Sequence, residues 1–360
     1  MGRKNKKRCD KGEINETSGV RTVIYLTNRE EIKMNEKTVF KIIDLFMLKL
    51  QKEPKIEDTI ILSGVPRGGT TWLMEILETI PRYKSIFEPF HREWYPRVKL
   101  LNLPPRPYLP PHKEHKELKN YLQKVFTGQV PSPKYRITPA EIYRRFTATK
   151  VIVKFIRANR LLPWIVNNFQ VRGTYFLIRH PCAVISSQLE TGIRGYFTPK
   201  NIPLKKEVIL QEASQIPQIR EDEWLMKKLR TIESQEEVLA AIWSLDNYIP
   251  LSYLSEYPDA WYTIVYEKLV TDFDNEIKKI FEYINEEVPE KAYEKFKRPS
   301  KTTYDKSYLG TPRQLLKWKK KLSEHQVKNI LKVVHWFGLD FYTEDPEPDY
   351  SALRKWKPKN

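Results

Sequence analysis

Residues 59–74 (TIILSGVPRGGTTWLM) constrain the possible folds of this chain more than any other segment. The apolar run at 60–62 is typical of a strand that is buried in a parallel sheet. The apolar residues at 72, 73, 76 and 77 then recur at helical spacing. The segment therefore predicts a buried strand that passes through a glycine turn into the start of a helix.

This turn has the composition of an anion-binding site. Gly68 and Gly69 let the backbone approach a bound group closely, and the first N–H groups of the helix point toward that group with the positive end of the helix dipole. The spacing from Gly64 to Gly69 resembles the triphosphate-binding pattern G-x-x-x-x-G-K-[ST], but Thr70 stands in place of the lysine. Arg67 supplies a positive charge earlier in the turn. The turn predicts a phosphate or sulfate site, and a purely structural loop is the alternative.

A second segment, residues 174–187 (TYFLIRHPCAVISS), has the pattern of a buried strand, a His-Pro turn and a helix. Arg179 at the strand end and Ser187 two helical turns later can converge on one phosphate group. An arginine after a strand or a serine in a helix is uninformative by itself. The ordered pair of motifs carries the prediction.

The two segments together resemble the donor-binding motifs of sulfotransferases that use 3′-phosphoadenosine 5′-phosphosulfate (PAPS). P-R-G-G-T-T-W is similar to that family's 5′-phosphosulfate loop, and Arg179 with Ser187 matches its 3′-phosphate motif. Residues 150–157 and 261–270 resemble two of its core strands. The chain is closest in style to carbohydrate-type and bacterial members of the family.

The resemblance implies binding of PAPS and of its product adenosine 3′,5′-bisphosphate, with no metal ion required. The donor-binding residues that it implies are Arg67, Gly68, Gly69, Thr70, Thr71, Trp72, Arg179, Ser187 and Arg313. Trp72 would pack on the adenine, and packing in the protein core is the alternative. Arg313 precedes a segment, 316–322, that is similar to a late W-K-x-x-L motif. The chain departs there from cytosolic small-molecule sulfotransferases, since it lacks their R-K-G ahead of the tryptophan.

The implied sulfuryl transfer needs a cation for the leaving phosphate, donors for the sulfate oxygens and a base for the acceptor proton. Arg67 fits the first role, and the backbone and threonine hydroxyls of residues 68–71 fit the second. Glu88 is the predicted base, because carbohydrate and tyrosyl-protein sulfotransferases are similar in placing a glutamate after this helix. His91 is the alternative base, and purely structural roles for both residues stay open. A nearby Arg67 would lower the pKa of Glu88, and burial would raise it.

The predicted fold class is α/β. Strands at 59–65, 150–156, 174–179 and 261–266 alternate with helical segments, which indicates a single P-loop-like domain with a central, mainly parallel sheet flanked by helices and long helical or loop insertions. The predicted organisation is a basic, partly disordered N-terminal extension with one amphipathic helix (1–55), a sulfotransferase domain (56–345) and a basic C-terminal tail (346–360).

Three function classes are compatible with a formal net charge of +18. A PAPS-dependent sulfotransferase, acting on a hydroxyl or amine, explains both anion motifs. A P-loop phosphotransferase would need an acidic Mg²⁺ ligand at a neighbouring strand end. The strand ends of this chain carry Arg157, Arg179 and Glu267, and the two cations favour a phosphate ligand over a metal ion. A non-catalytic nucleic-acid or membrane-surface binder would explain the charge but not the paired motifs.

The predicted acceptor is a carbohydrate or glycolipid, because aromatic faces pack on sugar rings while basic groups hold acidic ones. The aromatic residues behind this prediction are Trp94, Tyr95, Tyr108, Tyr135 and Tyr143. A phenol, a steroid-like alcohol and a peptide tyrosine stay open as acceptors. The proline-rich segment 103–111 would wall the acceptor cleft or form a plain solvent loop, and residues 196–217 are a candidate lid.

The sequence also predicts where the protein works. It has no apolar stretch of 18 residues and only two cysteines, Cys9 and Cys182, which favours a cytoplasmic protein without a disulfide framework. A peripheral contact with an anionic membrane is compatible with the basic charge, whereas no specific nucleic-acid partner is indicated. The oligomeric state is left open.

Overall fold

The computed structural model describes residues 53–131, 143–144, 146–190, 204–299 and 311–358, together with four helical positions between 39 and 48. Its centre is a five-stranded sheet of order β2-β3-β1-β4-β5, in which every pairing is parallel. The strands are β1 (Thr59–Gly64), β2 (Tyr83–Phe87), β3 (Lys150–Phe155), β4 (Gly173–Ile178) and β5 (Tyr262–Val265). The predicted α/β class with a central parallel sheet is confirmed.

Helices cover both faces of this sheet. The α-helices in the described ranges are α1 (Thr70–Leu77), α2 (Lys116–Phe126), α3 (Leu162–Asn168), α4 (Pro181–Glu190), α5 (Lys206–Ser214), α6 (Pro217–Arg220), α7 (Glu223–Arg230), α8 (Gln235–Glu256), α9 (Tyr266–Thr271), α10 (Phe273–Tyr283), α11 (Glu290–Phe296), α12 (Glu324–Trp336) and α13 (Tyr350–Lys355). Short 3-10 helices span Ile56–Asp58, Pro96–Leu101, Asn159–Leu161 and Pro312–Lys320. None of the helices in these ranges has the length and apolar character needed to cross a membrane.

The central strand explains the position of the glycine turn. Ile60, Ile61 and Leu62 have no exposed surface, and they alternate between the two hydrophobic cores, with Ile61 in one and its two neighbours in the other. The chain leaves β1 toward β2 and β3 on one side and later crosses to β4 and β5 on the other. The strand order therefore reverses at β1, and ligands of such sheets bind outside the carboxyl ends of the strands at this reversal. Residues 65–69 lie at that point.

The proline-rich segment 103–111 is fixed to the body of the protein. Trp164 Nε1 donates a hydrogen bond to the Lys113 carbonyl at 2.7 Å, and Asn167 Nδ2 donates one to the Pro111 carbonyl at 3.1 Å. Arg106 from the same segment is buried. The segment therefore packs against the body of the protein rather than forming a plain solvent loop, and its role beside an acceptor cleft stays a prediction.

Arg106 belongs to a buried network of two arginines and two carboxylates. Arg160 Nε donates to Asp246 Oδ1 at 2.7 Å, and Arg160 Nη1 donates to Glu212 Oε2 at 2.8 Å. Arg106 Nε lies 3.3 Å from Asp246 Oδ2. Burial raises the pKa of Asp246, although both arginines oppose this effect. The network joins the proline-rich segment, α5 and α8 to the turn after β3.

Several predicted segments lie partly or wholly outside the described residues. They include most of the N-terminal extension (1–55), Tyr135, and the first part of the candidate lid, up to residue 203. The rest of that lid contains α5 and the first residue of α6. In the C-terminal tail, Trp356 Nε1 donates to the Gly338 carbonyl at 2.6 Å, so residues just beyond α13 contact the turn after α12.

Candidate active site

The turn after β1 has a backbone that requires glycine. Arg67 (φ +66°) and Gly69 (φ +100°) both lie in the left-handed region. A Cβ on Gly69 would lie 2.7 Å from the Tyr266 ring, so a larger residue would clash there. The Gly68 N–H donates to the Val65 carbonyl at 2.9 Å and closes the turn. Gly69 caps α1 without a side chain, so the N–H groups of the first helical turn face the loop, as an anion site requires.

Arg67, Arg179 and Ser187 meet on one side of this turn. Arg67 Nε donates to Ser187 Oγ at 2.9 Å, and Arg179 Nη1 donates to the Arg67 carbonyl at 3.0 Å. The Arg179 guanidinium also lies over the Tyr266 ring, 4.1 Å from its centroid. Residues of the two motifs are thus brought together. Two guanidinium groups and a hydroxyl in one place can bind a phosphate through charge-assisted hydrogen bonds.

Helix α4, which carries Ser187, is attached directly to the glycine turn. Gln188 Nε2 donates to the Pro66 carbonyl at 3.0 Å. The Trp243 indole donates to the Arg179 carbonyl at 3.1 Å and fixes the turn that leads into α4. These contacts hold the second predicted motif against the first.

Glu88 lies on the other side of the turn, directly after β2. Its carboxylate accepts hydrogen bonds from Lys154 Nζ at 2.8 Å and from Arg157 Nη1 at 3.1 Å. Lys154 Nζ also donates to Thr71 Oγ1 at 3.4 Å. One buried lysine therefore connects the predicted base with the predicted sulfate loop.

The cations around Glu88 differ from the sequence prediction. Burial alone raises the pKa of Glu88, but Lys154 and Arg157 outweigh it and hold that pKa below its ordinary value. The sequence analysis considered Arg67 as the cation near Glu88. Lys154 and Arg157 are the cations that contact its carboxylate, while Arg67 Nε donates to Ser187 Oγ. A lowered pKa keeps the Glu88 carboxylate ionised at neutral pH, which is the protonation state that a general base needs.

His91 lies in the turn that follows Glu88. Its N–H donates to the Glu88 carbonyl at 2.9 Å, and its ring stacks on Trp94 with centroids 3.5 Å apart. Burial, together with the positive charge of Arg157, lowers the pKa of His91 to about 4. The imidazole is therefore neutral at pH 7. A neutral imidazole and an indole face lie beside the ionised carboxylate.

Two further residues of the predicted donor set have other surroundings. Trp72 packs against Tyr266 and Phe296, with ring centroids 5.7 and 5.3 Å away. Arg313 is exposed at the start of the 3-10 helix Pro312–Lys320. Residues 300–310, which precede it, lie outside the described ranges.

Lys154 is the site residue that the sequence analysis missed. It lies in the segment KVIVKFIR, which was interpreted only as a core strand. The available signal was a lysine near the end of an apolar run, because a charge in a buried strand needs a partner. Lys154 is 1% exposed, and the carboxyl ends of the strands are the edge at which ligands bind.

Comparisons with known proteins give sulfotransferase structures. The sulfotransferase domain from the Synechococcus PCC 7002 olefin synthase is 15% identical, with a TM-score of 0.39, over 80% of this chain and 96% of that one. The sulfotransferase domain from the curacin biosynthetic pathway is 15% identical, with a TM-score of 0.43, over 81% and 99%. Mouse sulfotransferase SULT7A1, complexed with PAP, is 14% identical, with a TM-score of 0.36, over 91% and 99%.

Each of these neighbours is a sulfotransferase. No family model and no curated protein sequence matches the chain. Because the identities and TM-scores of the structural neighbours are low, a functional conclusion must rest on the geometry of the site.

Proposed function

We propose that this protein is a PAPS-dependent sulfotransferase, which moves a sulfuryl group from PAPS to a hydroxyl or amine of an acceptor. One observation carries the proposal. A bare-backbone turn at a helix start lies between two clusters, with Arg67, Arg179 and Ser187 on one side and the ionised Glu88 on the other. The turn and the arginine–serine cluster could bind the two separate anionic groups of one nucleotide. Glu88 could remove the proton from an acceptor.

The turn suits the 5′-phosphosulfate of the donor. A Cβ on Gly68 would lie 2.7 Å from the Val65 carbonyl oxygen, and one on Gly69 would meet the Tyr266 ring at the same distance, so the bare backbone is required. The N–H groups of residues 68–71 and the threonine hydroxyls would hold the sulfate and 5′-phosphate oxygens. Arg67, Arg179 and Ser187 would hold the 3′-phosphate. Trp72 and Arg313 stay proposed contacts of the donor.

The reaction can be followed through the residues of this chain. The acceptor oxygen forms a bond to sulfur while Glu88 takes its proton, and the bond between sulfur and the 5′-phosphate oxygen breaks with the electron pair staying on the phosphate. Lys154, between Glu88 and Thr71, is the cation nearest the reacting group. It would stabilise the negative charge that develops there. We therefore assign this role to Lys154 and the nucleotide phosphates to Arg67.

His91 and Trp94 support a carbohydrate or glycolipid acceptor. The neutral imidazole can exchange a hydrogen bond with a hydroxyl, and an indole face packs on a sugar ring. Tyr95 does not serve this purpose, because it is buried and its hydroxyl donates to the Phe87 carbonyl at 3.2 Å. The sequence analysis named His91 as the alternative base. A pKa of about 4 makes its imidazole a weak base, so we assign His91 to acceptor binding.

Calorimetry in EDTA tests the donor assignment. We expect adenosine 3′,5′-bisphosphate to bind without metal, and Arg179→Ala or Ser187→Ala to weaken it by roughly 10- to 150-fold, the cost of a charge-assisted contact. Adenosine 5′-phosphosulfate, which lacks the 3′-phosphate, should be affected far less. Arg172→Ala is the matched control. Arg172 directly precedes β4, whereas Arg179 directly follows it, and the Arg172 side chain forms an ion pair with Glu286. Binding of MgATP alone would favour a phosphotransferase and overturn the proposal.

A transfer assay tests the chemistry. Labelled PAPS is offered to a panel that contains neutral and acidic glycans, a glycolipid, a phenol, a steroid alcohol and a tyrosine peptide. We expect sulfate on a sugar hydroxyl. Transfer only to the phenol, the steroid or the peptide would contradict the acceptor class, and absence of transfer to every acceptor by a protein that binds the nucleotide would contradict the enzyme.

A further inference from the structure

Glu267 is a buried carboxyl that the proposed reaction does not use. It lies in the first turn of α9 and is 1% exposed. One carboxyl oxygen accepts the His180 N–H at 2.9 Å, and the other accepts the Tyr342 hydroxyl at 3.1 Å. In the part of the chain that the structure describes, no lysine or arginine lies within ion-pair distance of it. Such a group is rare, because a buried carboxylate normally has a cation as its partner.

The contacts of Glu267 lead directly to the 3′-phosphate side of the site. His180, which it holds through the backbone, follows Arg179 in the chain. Tyr266, which precedes Glu267, carries the Arg179 guanidinium on its ring at 4.1 Å. The positive charge of Arg179 is the nearest that favours the ionised carboxylate. Glu267 therefore holds the backbone of the residue after Arg179, and it directly follows the tyrosine on whose ring Arg179 rests.

The histidine and tyrosines that surround Glu267 in the described part of the chain, His180, Tyr342 and Tyr350, have pKa values far from neutrality. Burial lowers the pKa of His180 to about 3, and the His180 ring stacks on Trp318 rather than on a charged group. Burial also raises the pKa of Tyr342, and that of Tyr350 from α13, far above neutral pH. Burial raises the pKa of Glu267 itself to about 7, with Arg179 opposing. Of the cluster, only Glu267 changes charge near pH 7.

We propose that Glu267 is a proton-linked positioning residue, so that an anion bound at Arg179 and Ser187 is accompanied by uptake of a proton on the Glu267 carboxylate. The inference rests on the proposed function for the identity of that anion, the 3′-phosphate of the donor. The phosphate offsets the charge of Arg179 that had stabilised the carboxylate. One proton from the buffer then adds to a Glu267 oxygen, and the Tyr342 oxygen can accept the new O–H.

The sign of the effect follows from linkage. Since the bound state holds more protons than the free state, affinity for the 3′-phosphorylated nucleotide falls as pH rises through 7. With a pKa of about 7 in the free protein, half of the carboxyls are already protonated at pH 7, so uptake there approaches about half a proton per nucleotide bound. A residue with a purely structural role would take up none.

Calorimetry in buffers of different ionisation enthalpy measures the proton count directly. Adenosine 3′,5′-bisphosphate is titrated into the full chain and into Glu267→Gln between about pH 6 and 8, and the variant corrects for protons that belong to the nucleotide itself. We expect the full chain to take up more protons than the variant. Adenosine 5′-phosphosulfate should give no such difference.

A second variant keeps the inference testable if Glu267→Gln does not fold. Tyr342→Phe removes one donor from the carboxylate, which raises its pKa, so the pH of greatest uptake should move upward. Equal proton counts in the native chain and in the folded variant, or an unmoved pH of greatest uptake in Tyr342→Phe, would overturn the inference while the proposed function stands. Absence of nucleotide binding by the native chain would overturn both.

Discussion

Replacing Lys154 by glutamine should change the pH dependence of turnover as well as its rate. Lys154 Nζ lies 2.8 Å from Glu88 Oε1, and Arg157 supplies the second cation on that carboxylate. Because Glu88 is the proposed base, kcat/KM should fall with acid as its carboxylate is protonated. In the native chain this acid limb lies below the ordinary glutamate value of 4.5, since the pKa of Glu88 is lowered. Lys154→Gln removes the larger of the two charges that lower it.

The size of the shift follows from the contact. Two unit charges about 4 Å apart interact by about 4 kcal/mol at an effective dielectric constant near 20. At about 1.4 kcal/mol per pKa unit, this corresponds to close to three units. Measured shifts of carboxylates beside one cation are about one to three units. We therefore expect the acid limb of Lys154→Gln to move upward by about one to three pH units, with the burial of Glu88 acting in the same direction.

The assay is kcat/KM for PAPS transfer measured between about pH 4 and 9. Lys154→Arg is the matched control, because it keeps the charge and should leave the limb near its native position. Loss of rate alone does not decide the matter, since Lys154 also faces Thr71. An acid limb that stays in place in Lys154→Gln, while turnover remains measurable, would refute the assignment of Glu88 as the base.

Three further predictions concern the frame of the site. Arg160→Ala breaks the buried ion network at a cost of about 3–5 kcal/mol. With an unfolding entropy of about 2.1 cal/mol/K per residue over roughly 300 residues, a thermal melt should show Tm lower by about 5–8 °C. The control Arg220→Ala removes an exposed arginine and should leave Tm nearly unchanged. Gly69→Ala places a Cβ 2.7 Å from the Tyr266 ring. Calorimetry should then show a loss of adenosine 3′,5′-bisphosphate affinity of about tenfold or more. Native affinity would contradict the claim that the turn requires glycine at this position. Because burial lowers the pKa of His180 to about 3, below its ordinary 6.5, the unfolded state binds more protons and stability falls as pH drops from 6.5 toward 3. Urea melts should show that His180→Gln reduces this slope, and an unchanged slope would assign it to other groups.

Local patterns predicted the frame of the site because the relevant constraints are local. The apolar run at 60–62 required a strand buried on both faces, and the glycines after it required a turn with left-handed backbone. The pairing of Arg179 with Ser187 followed from helical spacing within one segment. Their meeting with Arg67 then needed only that β1 and β4 be neighbours, as parallel strands with helical crossovers often are.

The partners of Glu88 could not be predicted in this way, because they depend on strand register. β2 pairs with β3 so that Phe87 lies opposite Lys154, and the residue after β2 therefore meets the cations at the end of β3. A shift of one residue would turn Lys154 to the other face of the sheet. The sequence predicted a cation near the Glu88 carboxylate. That Lys154 contacts it follows from the pairing of β2 with β3, which brings together two residues 66 positions apart in the chain.

The order of the strands explains how one site can bind a polyanion and keep a base ionised. β1 lies between β3 and β4, so the cations at the end of β3 are separated by the glycine turn from the arginine at the end of β4. Lys154 and Arg157 contact Glu88 and lower its pKa, whereas Arg67 donates to Ser187 and Arg179 donates to the Arg67 carbonyl. If all four cations faced the nucleotide, an approaching sulfate would meet an uncompensated carboxylate, and repulsion would raise the pKa of Glu88. Because Lys154 contacts both Glu88 and Thr71, the proposed base and a sulfate in the proposed loop would share one cation. The two negative groups could then lie close enough for the proposed proton and sulfuryl transfers to occur together.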